Sequence, residues 1–352
     1  NIVTGNIKRR SMPQSGVTIR DVAKHAGVSH QTVSRVINNN QHVAPQTRKK
    51  VQASIEELDY RPNAIARSMA LGRTCLLACL APNLTDFTFA CLVEGAEVEA
   101  REHGYFLISS SAPTPEILQH LLNELIESRR VSGLLVINPY IDERYSYLPD
   151  HFPLVFIGSH AREPGISSVT LNDELAGYLA VQHLISLGHH NIAMVSGAMI
   201  EDCAQKRCTG FENALEEAGI THTACQVVQG DWSATSGRDA FLAMAATGNI
   251  PSAVFAQNDR MAIGVMQAAR DLGISVPEQL SVIGLDDLPL ASYFAPPLTT
   301  IRQDIIKIGS KAAQLLIENI EDPSHPTQSL TINPELIVRK STAPFNGKGG
   351  AY

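Results

Sequence analysis

The stretch from Thr18 to Leu71 constrains the chain more than any other. It reads TIRDVAKHAGVSHQTVSRVINNNQHVAPQTRKKVQASIEELDYRPNAIARSMAL. Ile19, Val22, Ala23 and Ala26 recur at helical spacing. Gly27 then interrupts the pattern, as a residue that takes positive φ at little steric cost. Ser29 is a good N-cap for a second helix with apolar Val33, Val36 and Ile37. The spacing predicts helices over about 19–26 and 30–37. Pro45 opens a third, to about 58, with Val51, Ile55 and Leu58 on one face. Two short helices joined by a glycine-containing turn make a helix-turn-helix. In that unit the second helix lies in the DNA major groove.

That placement ranks the polar side chains. His30, Gln31 and, one turn on, Arg35 stand where base edges are read. Glutamine matches adenine and arginine matches guanine in bidentate fashion, while His30 can reach a base or a phosphate. Ser29, Thr32 and Ser34 are candidates for phosphate contacts, which position a protein without specifying sequence. Beyond Tyr60, Asn63 can cap a helix of about two turns, too short to be stable alone. Met69 is apolar in a linker-like place. It suits a wedge between base steps of the minor groove, or packing against the next domain.

Charge follows the same division. The first 73 residues carry 12 Lys and Arg against 4 Asp and Glu, and the rest carry 16 against 31. A basic head on an acidic body fits a head that meets phosphate and a body that does not. The start, NIVTGNIKRRSMPQ, lacks an apolar core after its basic residues and reads as a disordered arm over 1–17, not a secretory signal. No apolar run is long enough to span a membrane. The six cysteines, at 75, 79, 91, 203, 208 and 225, form no C-x-x-C pair and no zinc spacing, so free thiols in a cytoplasmic protein are expected. His189 follows what reads as a helix end and is expected to be structural rather than a metal ligand. No metal and no cofactor is called for.

From residue 75 apolar runs alternate with helical patterns. Strands are expected near 75–81, 105–110, 133–137, 154–158, 168–171, 191–196, 226–228, 253–256 and 280–284. Helices are expected near 91–103, 118–129, 173–187, 206–218, 236–246, 260–272 and 304–320. This alternation predicts an α/β body of doubly wound parallel sheets. The strand number is large for one small sheet, so two lobes with a ligand cleft between them are expected. Arg207, Asn258 and Asp286 each fall near a strand end or helix start, and Trp232 is the sole tryptophan. A flat ring with fixed donors and acceptors suits a hydroxyl-rich ligand.

These motifs resemble the lac repressor/galactose repressor family. The head carries T-I-x-D-V-A-x-x-A-G-V-S-x-x-T-V-S-R-V-I-N and R-P-N-A-x-A-R-S; the body carries L-G-H-x-x-I at 187–192, R-x-x-G-F at 207–211 and G-D-W-S at 230–233. The resemblance implies a homodimer on palindromic operator DNA, a hinge helix over 62–74 with Met69 as its wedge, and a periplasmic-binding-protein-like body over 75–342. It implies a first lobe of 75–160 with 288–320, and a second of 161–287 with 325–342. It also implies effector contacts from Arg207, Trp232, Asn258 and Asp286, with Asn83 and Phe87 from the first lobe. Gly158 and Leu171 stand where relatives have polar or aromatic contacts, and Cys203 falls near the ligand position.

The function these readings imply is a transcriptional repressor controlled by a small effector, first a sugar and second a purine. A sugar receptor without a DNA role does not explain the basic head. An enzyme finds no G-x-G-x-x-G, nucleophile elbow or acid/base pair. The end, 343–352, is Gly-rich without leucine heptads, so a disordered tail and a dimer are expected.

Overall fold

The computed structural model describes residues 17–37, 42–60, 74–149, 151–158, 165–220 and 226–346. They divide at Thr74/Cys75 into two compact units.

The head is three helices, α1 (Ile19–Ala26), α2 (His30–Ile37) and α3 (Pro45–Glu57). Each boundary has a local cause. Thr18 and Asp21 form a capping box, with Thr18 N donating to Asp21 Oδ2 at 2.8 Å. Gly27 ends α1 at φ 66°, which lets Val28 N reach back to Ala23 O. Ser29 Oγ accepts from Thr32 N at 3.1 Å and starts α2. Val22, Ala23, Ala26, Val33, Val36 and Val51 form the buried core, and Ile55 and Leu58 pack on it. His25 Nδ1 lies 3.0 Å from Ser54 Oγ and ties α1 to α3. The expected hinge helix, with Asn63 and Met69, lies outside the described residues, as do residues 1–16 of the expected arm.

The body strands are β1 (Leu76–Ala81), β2 (Phe106–Ser111), β3 (Gly133–Ile137), β4 (Leu154–Ile157), β5 (Ser167–Leu171), β6 (Ile192–Ser196), β7 (Val227–Gln229), β8 (Ala253–Ala256), β9 (Ser281–Asp286), β10 (Thr299–Arg302), β11 (Ser329–Ile332) and β12 (Glu335–Ile337). The helices are α4 (Phe87–Glu102), α5 (Pro115–Glu127), α6 (Asp173–Ser186), α7 (Asp202–Glu217), α8 (Ala234–Ala246), α9 (Asp259–Asp271) and α10 (Ile305–Glu321). They build two six-stranded sheets, ordered β11-β5-β4-β3-β1-β2 and β12-β10-β9-β8-β6-β7. Among the described pairs only β10–β12 is antiparallel. The central strands β1, β3, β4, β6 and β8 read as unbroken apolar runs because helices cover both faces.

The lobe boundaries differ from the expected ones. Strand β5 pairs with β4 and belongs to the first lobe, and β11 joins it there through β5. Residues 288–302 belong to the second lobe, because β10 pairs with β9. The chain therefore crosses between lobes three times, after β5, after β10 and after β11. Two crossings are tied together: Asn172 Nδ2 donates to Asn333 Oδ1 at 3.2 Å, and Asn172 N to Ile332 O at 2.9 Å. The tail is also corrected. Phe345 N donates to Leu187 O at 2.8 Å, and its ring lies 5.6 Å from that of His189. Residues 343–346 thus pack on the second lobe, and 347–352 lie outside the described residues. His189 is buried among Ser252 Oγ, Ser281 Oγ and Ala343 O, each at 3.0 Å, a structural role as expected.

Candidate functional site

Between the lobes lies a cavity of about 330 Å³. The first lobe gives it an apolar wall, with Phe89, Leu92, Ile137, Ile157, Leu171 and Ile308. The second lobe supplies most of its polar and charged groups, from strand ends and helix starts where backbone geometry fixes them.

Arg207 is held by its helix pair. Gly177 of α6 and Gly210 of α7 face each other so closely that a Cβ at Gly177 would overlap Arg207 O, and one at Gly210 would overlap Glu174 O. The approach brings the start of α6 beside Arg207. There Arg207 Nε donates to Asp173 Oδ1 at 2.8 Å, and Nη1 to Gln257 O at 2.7 Å. Burial alone would lower the guanidinium's pKa; the carboxylates of Asp173 and Asp286 act to raise it. The guanidinium carbon stands 5.7 Å from the Trp232 ring centre, within reach of a cation–π attraction.

Trp232 adopts φ 70°, a conformation that non-glycine residues rarely hold. Its ring lies over Gly197, where a Cβ would strike it, and its Nε1 donates to Glu201 Oε1 at 3.0 Å. Asn258 caps α9, accepting from Met261 N at 2.8 Å and donating to Trp232 O at 3.1 Å. Its side chain therefore positions the tryptophan backbone. Asp286 ends β9 at φ 130° and accepts from Gln303 Nε2. Burial, and then the neighbouring Asp259, raise its pKa well above the ordinary 3.8. Asp259 is itself raised, by burial foremost, while Thr300 and Leu288 N donate to it.

The structure brings Asn83, Arg207, Trp232, Asn258 and Asp286 to one cavity. Phe87 is not among its walls. Asp86 caps α4, so Phe87 is the first helical residue and points outward, 39% exposed. Phe89, about 200° further round the helix, lines the cavity instead. Asn83 Oδ1 is occupied by Thr85 N and Asp86 N, at 3.0 and 2.8 Å. Sequence reading passed over Asp173, Glu201 and Arg260. Each is a polar residue beside a helix start, and nothing local marks its partner. Arg260 Nη2 donates to Asp86 Oδ2 at 2.6 Å across the cleft. Beside it the lobes meet in backbone hydrogen bonds, Ile141 N to Ile200 O and Asp202 N to Pro139 O, both 2.9 Å. Gly158, Leu171 and Cys203 also line the cavity; burial pushes the Cys203 thiol's pKa up.

On the head, Ser29, His30, Gln31 and Arg35 are exposed, while Thr32 and Ser34 are half-buried. Ser29 Oγ and Thr32 Oγ1 lie 2.9 Å apart, so both hydroxyls serve the cap. The exposed side chains fall on the start and one face of α2, opposite its buried Val33 and Val36. Among the described residues no helix is long and apolar enough to cross a membrane, and no cluster of side chains is placed to hold a metal ion.

Comparison with known proteins joins the two units. Residues 18–63 match the bacterial regulatory proteins of the lacI family, and residues 181–342 match a periplasmic binding protein-like domain. The HTH-type transcriptional repressor PurR of Photobacterium profundum is 36% identical over 332 residues, covering 94% of this chain and 99% of that protein. The PurR of Yersinia enterocolitica is 38% identical over 334 residues, covering 93% and 98%. Among solved structures, the lac repressor dimer bound to operator and the anti-inducer ONPF has a TM-score of 0.84 at 32% identity, covering 94% of this chain and all of that one. A CelR–cellobiose complex has a TM-score of 0.70 at 29% identity, covering 92% and 99%. With the likeness running through head and body together, the chain belongs to the lacI family of bacterial regulatory proteins, as a helix-turn-helix transcriptional repressor and not an enzyme.

Proposed function

We propose that the chain is a homodimeric repressor of a palindromic operator whose DNA affinity is set by a small molecule in the interlobe cavity. The observation that carries this is one cavity in which the Trp232 ring, the Arg207–Asp173 pair and Asp286 converge between two lobes of a chain that also bears a basic reading helix. His30, Gln31 and Arg35 read base edges in this scheme, and Ser29, Thr32 and Ser34 meet phosphates. Asn63 and Met69 take the hinge roles of cap and wedge. An effector that favours one lobe arrangement and a DNA that favours another shift each other's binding by the same factor.

The effector is first a sugar. Trp232 offers a face to a pyranose, Asp286 and Arg207 offer an acceptor and donors to hydroxyls, and the structural relatives include a cellobiose complex. A purine base is the second reading. The relatives named PurR favour it, and so does the apolar first-lobe wall, where Phe89 and Leu171 offer nothing to hydroxyls.

Gel shift against genomic fragments, with and without sugars and purines, tests the proposal. Specific, salt-sensitive binding that one such molecule alters is expected. Binding indifferent to sequence, or to every such molecule, contradicts it. Sedimentation of the full chain checks the dimer, and a stable tetramer contradicts it.

A further inference from the structure

The cavity holds unequal numbers of charges. Among the described residues its two arginines both face carboxylates already: Arg207 meets Asp173 at 2.8 Å and Arg260 meets Asp86 at 2.6 Å. No lysine or histidine among the described residues lines it. Among the described residues three carboxyl groups have no ion pair in contact: Asp231 at the exposed rim, and Glu201 and Asp286 inside, which feel the Arg207 charge only from further off. Asp231 is spent on the turn it begins, accepting from Ser233 N at 2.9 Å. Asp286 has Gln303, and Glu201 has only neutral donors, Trp232 Nε1 at 3.0 Å and Cys203 Sγ at 3.9 Å.

Glu201 is also placed by the lobes' meeting. It forms an isolated antiparallel bridge with Tyr140 of the first lobe and directly precedes α7. Its carboxyl is thereby fixed against the edge of the Trp232 ring, where a molecule lying on that ring would present its own edge. Burial raises its pKa first, against the lowering effect of the Trp232 hydrogen bond. The Glu201 carboxylate, with no cation in contact, repels any anion brought beside it, and both arginines of the described lining are already paired; Asp286, its charged form disfavoured, adds a hydrogen-bonding carboxyl rather than a charge.

We propose that Glu201 selects the effector: with Asp286 it accepts hydrogen bonds from an uncharged or cationic, donor-bearing molecule and turns away phosphate esters and carboxylates. This rests on the reading of the cavity as the effector site. It narrows that reading to free sugars, amino sugars, and bases or nucleosides, and removes sugar phosphates and nucleotides.

The test is a set of matched pairs titrated into the full chain, followed by Trp232 fluorescence and thermal shift. Galactose is set against galactose 1-phosphate, glucosamine against glucosamine 6-phosphate, and adenosine against its 5′-monophosphate. A parent compound is expected to bind, with its ester weaker by about a hundredfold. In Glu201→Gln, which keeps an acceptor for Trp232 Nε1, the parent is expected to weaken about tenfold and the gap to its ester to narrow. An ester that binds as tightly as its parent, with both lost in Asp286→Ala, overturns the selection rule and leaves the effector site standing. A gap unchanged in Glu201→Gln overturns the role of Glu201. No binding by any member of the set overturns the reading of the cavity as a sugar or purine site.

Discussion

Asp286 occupies a position where its charged form is disfavoured, by burial first and by Asp259 second, so its pKa rises from 3.8 to about 8. The folded chain then binds a proton more tightly than the unfolded chain. Stability from this group is fully present below its ordinary pKa and falls as pH rises towards the folded value. Asp286→Asn cannot ionise and keeps an amide that can meet Gln303. Urea denaturation is expected to show wild type losing more stability than Asp286→Asn between pH 5 and pH 8, and equal losses would refute the assignment. Gly197 lies under the Trp232 ring. Gly197→Ala is expected to lift the ring and break its hydrogen bond to Glu201, shifting the emission of the sole tryptophan to the red. Unchanged emission would mean the ring does not rest there in solution. In the head, Arg35→Ala is expected to relax discrimination at one base pair, at about 1–3 kcal/mol. A uniform loss over all operator variants would make Arg35 a phosphate contact instead.

At the scale of elements, the head was legible because its signals are local. A capping serine, a glycine at positive φ and apolar residues at helical spacing set all three helices within a residue of where they lie. Strands β1 to β9 of the body were legible as largely apolar runs, whereas β10, TTIR, was not expected. The assignment of strands to lobes was not legible, because each crossing takes only one or two residues, as at Asn172, and leaves no composition shift to read. Phe87 was chosen over Phe89 for a related reason: two residues along a helix reverse the face, and only the Asp86 cap fixes the phase. Glu201 meets Trp232 across 31 positions of sequence, which no spacing rule covers. The α6–α7 contact lets this scale be tested. Gly177→Ala adds a methyl group where Arg207 O already sits, so the helices must part. A loss of about 1–3 kcal/mol in stability is expected. A weaker grip of Asp173 on Arg207 is expected with it, read as weaker effector binding. A variant as stable as wild type with full binding would show that the pair tolerates separation.

For the body as a whole, the contacts between lobes decide how readily the cavity opens. The Asp86–Arg260 pair spans the cleft at 2.6 Å, with side chains 18% and 40% exposed. An ion pair this accessible contributes up to about 1 kcal/mol. That is small for folding but it acts wholly on closure, since separating the lobes separates the charges. Binding that requires the closed arrangement weakens in proportion to the closed fraction. Asp86→Asn isolates the charge, because asparagine still caps α4 through the bond that Thr88 N makes at 2.9 Å. Asp86→Asn and Arg260→Gln are each expected to weaken effector binding by up to about fivefold. The double variant should lose no more than either alone, and the reversed pair Asp86→Arg with Arg260→Asp should recover part of the loss. By linkage, the effector's influence on operator affinity should change by the factor by which the operator changes effector affinity, so gel shift and fluorescence titration must agree. Additive losses in the double variant would show that the two side chains touch without holding the lobes. Closure would then rest on the backbone contacts of residues 139–141 with 200–202.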